Sequence, residues 1–175
     1  MKKIMFSDAF CLTNAVLAGT KTMTRRVLRD SVPLGNWEET QKHLPYKVGE
    51  IVAIAQSYEE VYPNADFEMV GDGFMKESAG WTNKMFVKAN LLPHHIRITD
   101  VKVECLQSIS DDDIMREGVW QMGELFCVSK AIGEAPEVAF PSAREAFWFL
   151  IDKVSGNGTW ESNPWVVAYS FELVD

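Results

Sequence analysis

Residues 17–26 of the chain read Leu-Ala-Gly-Thr-Lys-Thr-Met-Thr-Arg-Arg. The glycine at position 19 ends an apolar run, and a lysine, alternating threonines and two arginines follow it directly. The formal net charge of the chain is −8, yet four cations fall within nine positions here: Lys21, Arg25, Arg26 and Arg29. The stretch therefore predicts a local positive field. It also places a possible base, Lys21, three residues before a possible hydroxyl nucleophile, Thr24.

Length and composition indicate an ordinary globular protein. The chain has 175 residues, of which 47% are hydrophobic and 24% charged, and a chain of this size buries about two-thirds of its unfolded surface. No apolar run approaches the ~20 residues of a membrane span, and the N-terminal apolar stretch before Asp8 is too short for a signal peptide. We expect one domain over residues 1–175, no membrane partner and a cytoplasmic location.

The cysteines and histidines do not indicate a disulfide framework or a metal site. Cys11, Cys105 and Cys127 are far apart and form no CxxC pair, as is typical of buried free thiols. His94 and His95 are adjacent, so on a strand they would point to opposite faces and could not easily bind one metal. We expect no metal site and no cofactor.

Capping signals and apolar spacing predict three helices. They span about residues 8–18, 111–117 and 143–154. Gly19 supplies the left-handed stop of the first helix. Ser110 and Asp113 form a capping-box-like pair for the second, and Ser142 with Glu145 forms a capping box for the third.

Four strands are predicted between these helices, at residues 51–55, 85–89, 95–106 and 166–174. The third changes its apolar phase between Ile98 and Val101, which indicates a bulge or bend. The fourth alternates cleanly from Val167 to Leu173. Helices at the start, middle and end of the chain, with strands between them, predict an α+β protein.

The opening motif, Leu-Ala-Gly-x-Lys-Thr-x-Thr-x-Arg, resembles the signature of the ASCH family of the PUA-like superfamily. Three further segments resemble ASCH segments in the same order, at residues 45–51, 109–119 and 156–165, and the last looks like the ending of phage and prophage members. Residues near 60–82 and 120–140 match no family segment. The resemblance implies a small, mostly antiparallel PUA-like β-barrel with helices packed around its mouth.

The resemblance also implies a chemistry. Some ASCH proteins are amidohydrolases that remove the acyl group from N4-acetylcytidine, and their catalytic positions match Lys21, Thr24 and Glu117. In that mechanism the Thr24 hydroxyl, or an activated water, attacks the amide carbonyl. Lys21 takes the proton or stabilises the oxyanion, and Glu117 serves the leaving amine as acid and base. Arg26 would hold a ribose, a phosphate or a base edge.

The residues themselves leave each of these roles open. Residues three apart on an ideal strand face opposite ways, so Lys21 and Thr24 share a pocket only if the chain turns after Gly19. Burial would lower the pKa of Lys21, and so would the neighbouring cations Arg25 and Arg26. A glutamate at a helix C-terminus opposes the helix dipole, which hints at function. The alternatives are a solvated basic loop and a solvated glutamate in the last turn.

Three function classes remain open. The first is a nucleoside amidohydrolase, and the second is a non-catalytic module that binds single-stranded RNA through Arg25 and Arg26. Trp160, which lies among glycines, would be the best candidate for base stacking, although tryptophans more often anchor packing. The third class is a phage-encoded protein-interaction domain that uses its acidic surface.

Overall fold

The computed structural model describes residues 1–128 and 138–175 of the chain. Within these residues it contains both strands and helices, which confirms the predicted α+β class. The strands are β1 (Lys3–Ile4), β2 (Met23–Val27), β3 (Ile51–Ile54), β4 (Met69–Val70), β5 (Gly73–Phe74), β6 (His95–Cys105), β7 (Trp120–Met122), β8 (Leu125–Val128), β9 (Val138–Phe140) and β10 (Trp165–Leu173). The helices are α1 (Leu12–Leu17), α2 (Trp37–His43), α3 (Tyr58–Val61), α4 (Asp111–Arg116), α5 (Ala143–Ser155) and α6 (Thr159–Ser162).

The main sheet has five strands in the order β1-β3-β6-β10-β2. β1 pairs with β3 in parallel, and the other neighbouring strands pair antiparallel. The eleven residues of β6 and the nine of β10 form its long centre. β4 and β5 form a separate hairpin, and β7, β8 and β9 form a three-stranded sheet.

A β-bulge interrupts β6 at the predicted change of phase. Ser170 of β10 lies opposite Asp100, but Phe171 lies opposite Ile98, so Thr99 has no partner on β10. Burial along β6 accordingly changes from even to odd positions. The bulge bends the central strand pair and turns both halves of β6 toward the core.

The closed barrel expected from the family resemblance is not found. In the described part of the chain, the main sheet keeps β1 and β2 as its two edges. After Ile4 the chain leaves the sheet and enters a 3₁₀ turn at Asp8–Phe10, so β1 is too short to pair with β2. Instead, Nη2 of Arg26 on β2 donates a hydrogen bond of 2.5 Å to the carbonyl of Met5. A closed barrel would have a ladder of backbone hydrogen bonds between β1 and β2. At this seam between the two edge strands, the Arg26 side chain makes the contact instead.

The two faces of β3 contribute to different apolar clusters. Val52 and Ile54 belong to the large core, where the main sheet packs against α1, α4 and α5. Ala53, on the other face, belongs to a smaller cluster formed with the segment after β3. Its other fully buried members are Tyr58, Ala65, Met75, Val87 and Leu92. The first segment without a family match thus covers the outer face of β3, and the single-domain assignment remains a prediction.

Several local predictions hold, with shifted bounds. α5 is capped by Ser142, whose Oγ accepts a hydrogen bond of 3.2 Å from the Glu145 amide. The first helix is split, because Cys11 adopts a left-handed conformation with φ of 53° between the 3₁₀ turn and α1. α2, capped by the side chain of Asn36, was not predicted.

The predicted strand at residues 85–89 is wrong. The chain there forms two 3₁₀ turns, Lys84–Phe86 and Ala89–Leu91. The side chain of Asn83 caps the first turn by accepting a 3.0 Å hydrogen bond from the Met85 amide. Local side-chain capping therefore outweighs the β propensity of this run.

The second segment without a family match, residues 120–140, is described only in part. Residues 120–128 and 138–140 supply the three strands of the small sheet β7-β8-β9, and residues 129–137 lie outside the described residues. The longest described helix, α5, has 13 residues. None of the described helices has the length and apolarity needed to cross a membrane.

Candidate active site

Lys21 is buried because the chain turns sharply between α1 and β2. Gly19 adopts a left-handed conformation, with φ of 72°, and ends the helix. The backbone amides of Thr20 and Lys21 then both donate to the Ala15 carbonyl, which folds the chain back over α1. As a result the Lys21 side chain is only 2% exposed.

Glu117 comes to the same place from the C-terminal end of α4. The Ser110 side chain caps this helix by accepting from the Asp113 amide at 3.2 Å. Gly118 follows Glu117 with φ of 109°, and a Cβ at that position would lie 2.8 Å from Leu12 Cδ2. The glycine therefore lets α1 and Lys21 approach the end of α4 closely.

Lys21 and Glu117 form a buried ion pair. The Lys21 Nζ donates to Glu117 Oε2 at 3.0 Å, to the Glu117 carbonyl at 2.6 Å and to the Met23 carbonyl at 2.7 Å. An ammonium has three N–H donors, so this geometry fits the charged lysine. Burial nevertheless lowers the pKa of Lys21; Glu117 opposes the decrease, and Arg26 and Arg25 add to it. The amine therefore holds its proton less tightly than an exposed lysine does.

Arg25 binds three carboxylates from the opposite side of Glu117. Its guanidinium donates to Glu117 Oε1 at 3.0 Å, to Glu104 Oε1 at 2.7 Å and to Asp113 Oδ2 at 2.9 Å. The side chain is 0% exposed. Lys102 adds an outer contact of 2.8 Å with Asp113. Arg25, a residue expected to bind substrate or RNA, thus has its guanidinium in a buried ionic network, although the residue also contributes to the lining of the cavity described next.

Thr24 lies on the other face of β2, where it lines a cavity. The cavity measures about 280 Å³ and is bounded by Phe6, Leu12, Thr24, Arg26 and Val154, among others. The Thr24 side chain is almost buried, and in the part of the chain that the structure describes its hydroxyl has no hydrogen-bond partner. The cavity therefore presents a free hydroxyl on a wall of mixed polar and apolar character. We call it the Thr24 cavity.

The ion pair lies directly behind the wall of the Thr24 cavity. The Met23 carbonyl that accepts from Lys21 belongs to the peptide group preceding Thr24. The Lys21 Nζ is also 5.8 Å from the ring centroid of Phe6, which lines the cavity. Neither Lys21 nor Glu117 is among the lining residues. The structure thus brings Lys21 and Glu117 into contact, while Thr24 lines the cavity and is linked to Lys21 through the hydrogen bond to the Met23 carbonyl.

The two remaining predicted binding residues differ in exposure. Arg26 is partly exposed and lines the Thr24 cavity. Trp160 is 9% exposed and packs edge-on against Phe147, with the Arg144 guanidinium 5.2 Å from its ring centroid. The position of Trp160 favours the packing role over base stacking.

Two carboxylates of the site, Glu104 and Asp113, were not predicted as site residues. Asp113 was interpreted only as part of a helix cap, because its spacing from Ser110 is that of a capping pair. Glu104 lies on β6 with no neighbouring motif. Neither carries a local signal of its pairing with Arg25, since that contact joins residues 88 or 79 positions apart.

Comparisons with known proteins give structural likeness but no family. No protein-family model matches the chain, and no curated protein matches it. It is similar to the crystal structure of protein EF3133 from Enterococcus faecalis V583, of the DUF984 family. That likeness has 16% identity and a TM-score of 0.49, and covers 100% of this chain and 81% of the other.

A second similar structure is an ASCH domain from Lactobacillus crispatus JV V101. Its identity is 14% and its TM-score 0.37, and the likeness covers 93% of this chain and 69% of the other. At these values neither likeness carries an argument about activity. Membership of the ASCH family, and of its phage type, remains a prediction from the sequence motifs.

Proposed function

We propose that this protein is an ASCH-type amidohydrolase that binds an N-acylated pyrimidine nucleoside, of the N4-acetylcytidine kind, in the Thr24 cavity. One observation carries the proposal: a buried lysine–glutamate pair lies directly behind a cavity wall that presents an unpartnered threonine hydroxyl. A nucleophile beside a lysine whose pKa is lowered by burial is the arrangement that acyl transfer requires.

The ion pair can supply both the base and the acid of the reaction. Transfer of one proton across the 3.0 Å contact from Lys21 to Glu117 leaves a neutral amine and a protonated carboxyl. The amine then takes the proton from the Thr24 hydroxyl, or from a water beside it, as the new C–O bond forms. As the C–N bond breaks, Glu117 gives its proton to the leaving amine. Both residues then have their starting charges again. Where a water attacks directly, the acyl group leaves as a carboxylic acid in this one cycle. Where Thr24 attacks, a second cycle follows, in which Lys21 takes a proton from a water that attacks the acyl-threonine ester and Glu117 returns a proton to the Thr24 oxygen.

The size and lining of the Thr24 cavity support a small ligand group with both apolar and polar parts. Pockets for drug-sized molecules are roughly 300–1,000 Å³, so a cavity of about 280 Å³ suits one acylated base. Phe6, Leu12 and Val154 provide apolar walls, and Arg26 provides a hydrogen-bond donor at the rim. The burial of Arg25 favours a single pocket over a continuous basic groove for RNA.

A non-catalytic nucleoside-binding protein is the second candidate. It is favoured by the position of Lys21, whose amine lies behind the cavity wall and uses all three of its donors within the protein. In that case the ion pair serves only to attach β2 to α4, and ligands would bind the Thr24 cavity without being changed.

A deacylation assay separates the two candidates. Purified protein would be incubated with N4-acetylcytidine and with a panel of other N-acylated nucleosides, and the deacylated product would be measured by chromatography. We expect turnover, and a loss of at least ~10²-fold for Lys21→Ala and for Glu117→Gln. Lys42→Ala, which removes an exposed lysine paired with Glu39 on α2, is the control and should retain full activity. Binding without turnover would establish the second candidate.

A further inference from the structure

A second cavity, distinct from the Thr24 cavity, lies between the main sheet and the segment that leads through α2. It measures about 460 Å³. The lining residues that matter for its chemistry are Arg26, Arg29, Ser31, His43, Pro45 and Val167. We call it the Arg29 cavity. Arg26 and Val27, at the end of β2, line both cavities, so the Arg29 cavity and the Thr24 cavity are adjacent.

The Arg29 cavity is positively charged within an acidic protein. No aspartate or glutamate is among the described residues that line it. In the described part of the chain, neither the Arg29 guanidinium nor the His43 ring has a hydrogen-bond or ion-pair partner. The nearby carboxylate of Glu39 is already paired with Lys42, at 2.6 Å. Arg29 therefore presents to the cavity a positive charge that no carboxylate in the lining offsets, which favours an anionic ligand.

The walls of the Arg29 cavity are held by defined contacts. The Leu28 amide donates to the Trp165 carbonyl at 2.9 Å, which fixes the end of β2 just before Arg29. On the other side, the Asn36 side chain caps α2 by accepting from the Glu38 amide at 2.9 Å. α2 then carries His43 as its last residue. Arg29 therefore follows an anchored strand end, and His43 ends a capped helix, on opposite sides of the cavity.

The strand that supplies Val167 to this cavity also carries a buried tyrosine. Tyr169 is on the same face of β10 as Val167, two residues away, and is fully buried. Among the described residues its hydroxyl has no hydrogen-bond partner. Burial raises the pKa of Tyr169 to about 12, so the group remains a hydrogen-bond donor at neutral pH.

We propose that the Arg29 cavity binds the phosphate group of a nucleotide whose nucleoside part occupies the Thr24 cavity. Arginine is suited to phosphate because its planar guanidinium donates two parallel hydrogen bonds to neighbouring oxygens. Arg26, which lines both cavities, contacts the ribose between base and phosphate. This inference rests on the proposed nucleoside site for one half of the ligand; the anion site itself rests on Arg29 and His43 and on a lining without a carboxylate.

Calorimetric titration tests the proposal with four probes: N4-acetylcytidine, its 5′-monophosphate, inorganic phosphate and a short single-stranded RNA. We expect the monophosphate to bind at least 10-fold more tightly than the nucleoside, and Arg29→Ala to remove that difference while leaving nucleoside affinity unchanged. Arg97→Ala is the matched control, because Arg97 is an exposed arginine paired with Glu172 on the main sheet. It should leave the difference intact. Circular dichroism would verify the fold of each variant.

Each remaining outcome decides between the two proposals. Equal affinities for nucleoside and monophosphate, or an equal loss for both in Arg29→Ala, overturn the phosphate site while leaving the deacylase proposal standing. Monophosphate binding that depends on Arg29, without any deacylation, supports the phosphate site and removes the proposed catalysis. Binding of inorganic phosphate alone, or of the RNA alone, overturns the nucleotide assignment.

Discussion

The ammonium of Lys21 and the carboxylate of Glu117 lie 3.0 Å apart, although 96 positions separate the two residues in sequence. Both side chains are almost completely buried. The contact joins the entry of β2 to the exit of α4, so it holds together the two elements that supply the candidate chemistry.

Removing the lysine alone should destabilise the protein strongly. We expect Lys21→Met to cost about 3 kcal/mol of unfolding free energy, the low end for breaking a buried ion pair, because Arg25 still pairs with Glu117. Urea denaturation would measure it. Adding Glu117→Gln should recover about 1 kcal/mol or more of this loss, and strictly additive effects would show that the two groups are not coupled.

The hydroxyl of Thr24 should matter more than its shape. Thr24→Val keeps the volume but removes the oxygen, so we expect deacylation to fall at least ~10²-fold, whereas Thr24→Ser keeps a nucleophile and much of the rate. Thermal unfolding should change little for either variant, because the hydroxyl has no partner among the described residues. Full activity in Thr24→Val would exclude an acyl-threonine intermediate.

Gly118 should be irreplaceable by alanine. Its φ of 109° is unfavourable for a side chain, and a Cβ would meet Leu12 at 2.8 Å. We expect Gly118→Ala to lower the unfolding free energy by about 1–3 kcal/mol, measured by chemical denaturation. Gly35→Ala is the control, since nothing lies within 4 Å of its position, and it should be nearly neutral. Equal effects of the two substitutions would contradict the close approach of α1 and α4.

Asp113 should contribute to stability in a pH-dependent way. Burial opposes its charged form, but hydrogen bonds from Lys102 and Arg25 outweigh burial and hold the pKa of Asp113 below its usual 3.8. A group with a depressed folded-state pKa stabilises the protein above its unfolded pKa, and that stability is lost as the pH falls through the folded pKa.

Asp113→Asn should therefore cost at least about 1 kcal/mol at pH 7 and reduce the loss of stability below about pH 4. Urea titrations between pH 7 and pH 3 would measure both effects. Asp112→Asn, a change at the exposed neighbour, should leave the pH dependence as in the parent protein. Parallel curves for Asp113→Asn and the parent would argue against the paired carboxylate.

Local features were the part of the fold that the sequence could predict. The phase change in β6 gave the bulge at Thr99, and the spacing of Ser142 and Glu145 gave the start of α5. Both depend on residues a few positions apart. The wrong prediction of a strand at residues 85–89 also has a local cause, because the Asn83 side chain caps a 3₁₀ turn there.

Contacts between residues far apart in the sequence could not be predicted from the sequence. Arg25 was expected on a binding surface because its motif is basic, and only the fold shows that three carboxylates from β6 and α4 enclose it. The sheet does not close into a barrel because β1 ends before it can pair with β2. Apolar periodicity cannot predict the end of a strand that has only two residues. The Arg29 cavity likewise needs the path of α2, a helix that was not predicted.

The seam between β1 and β2 has a mechanical consequence. Where two strands are joined by a ladder, separating them breaks several backbone hydrogen bonds at once, so the two strands resist separation. Here a single hydrogen bond joins Arg26 on β2 to the Met5 carbonyl after β1. The Thr24 cavity is bounded by residues from both segments. Rotation of the Arg26 side chain would break this hydrogen bond and widen the Thr24 cavity without breaking a backbone hydrogen bond of the main sheet. The guanidinium would then be free to contact a ligand in the cavity.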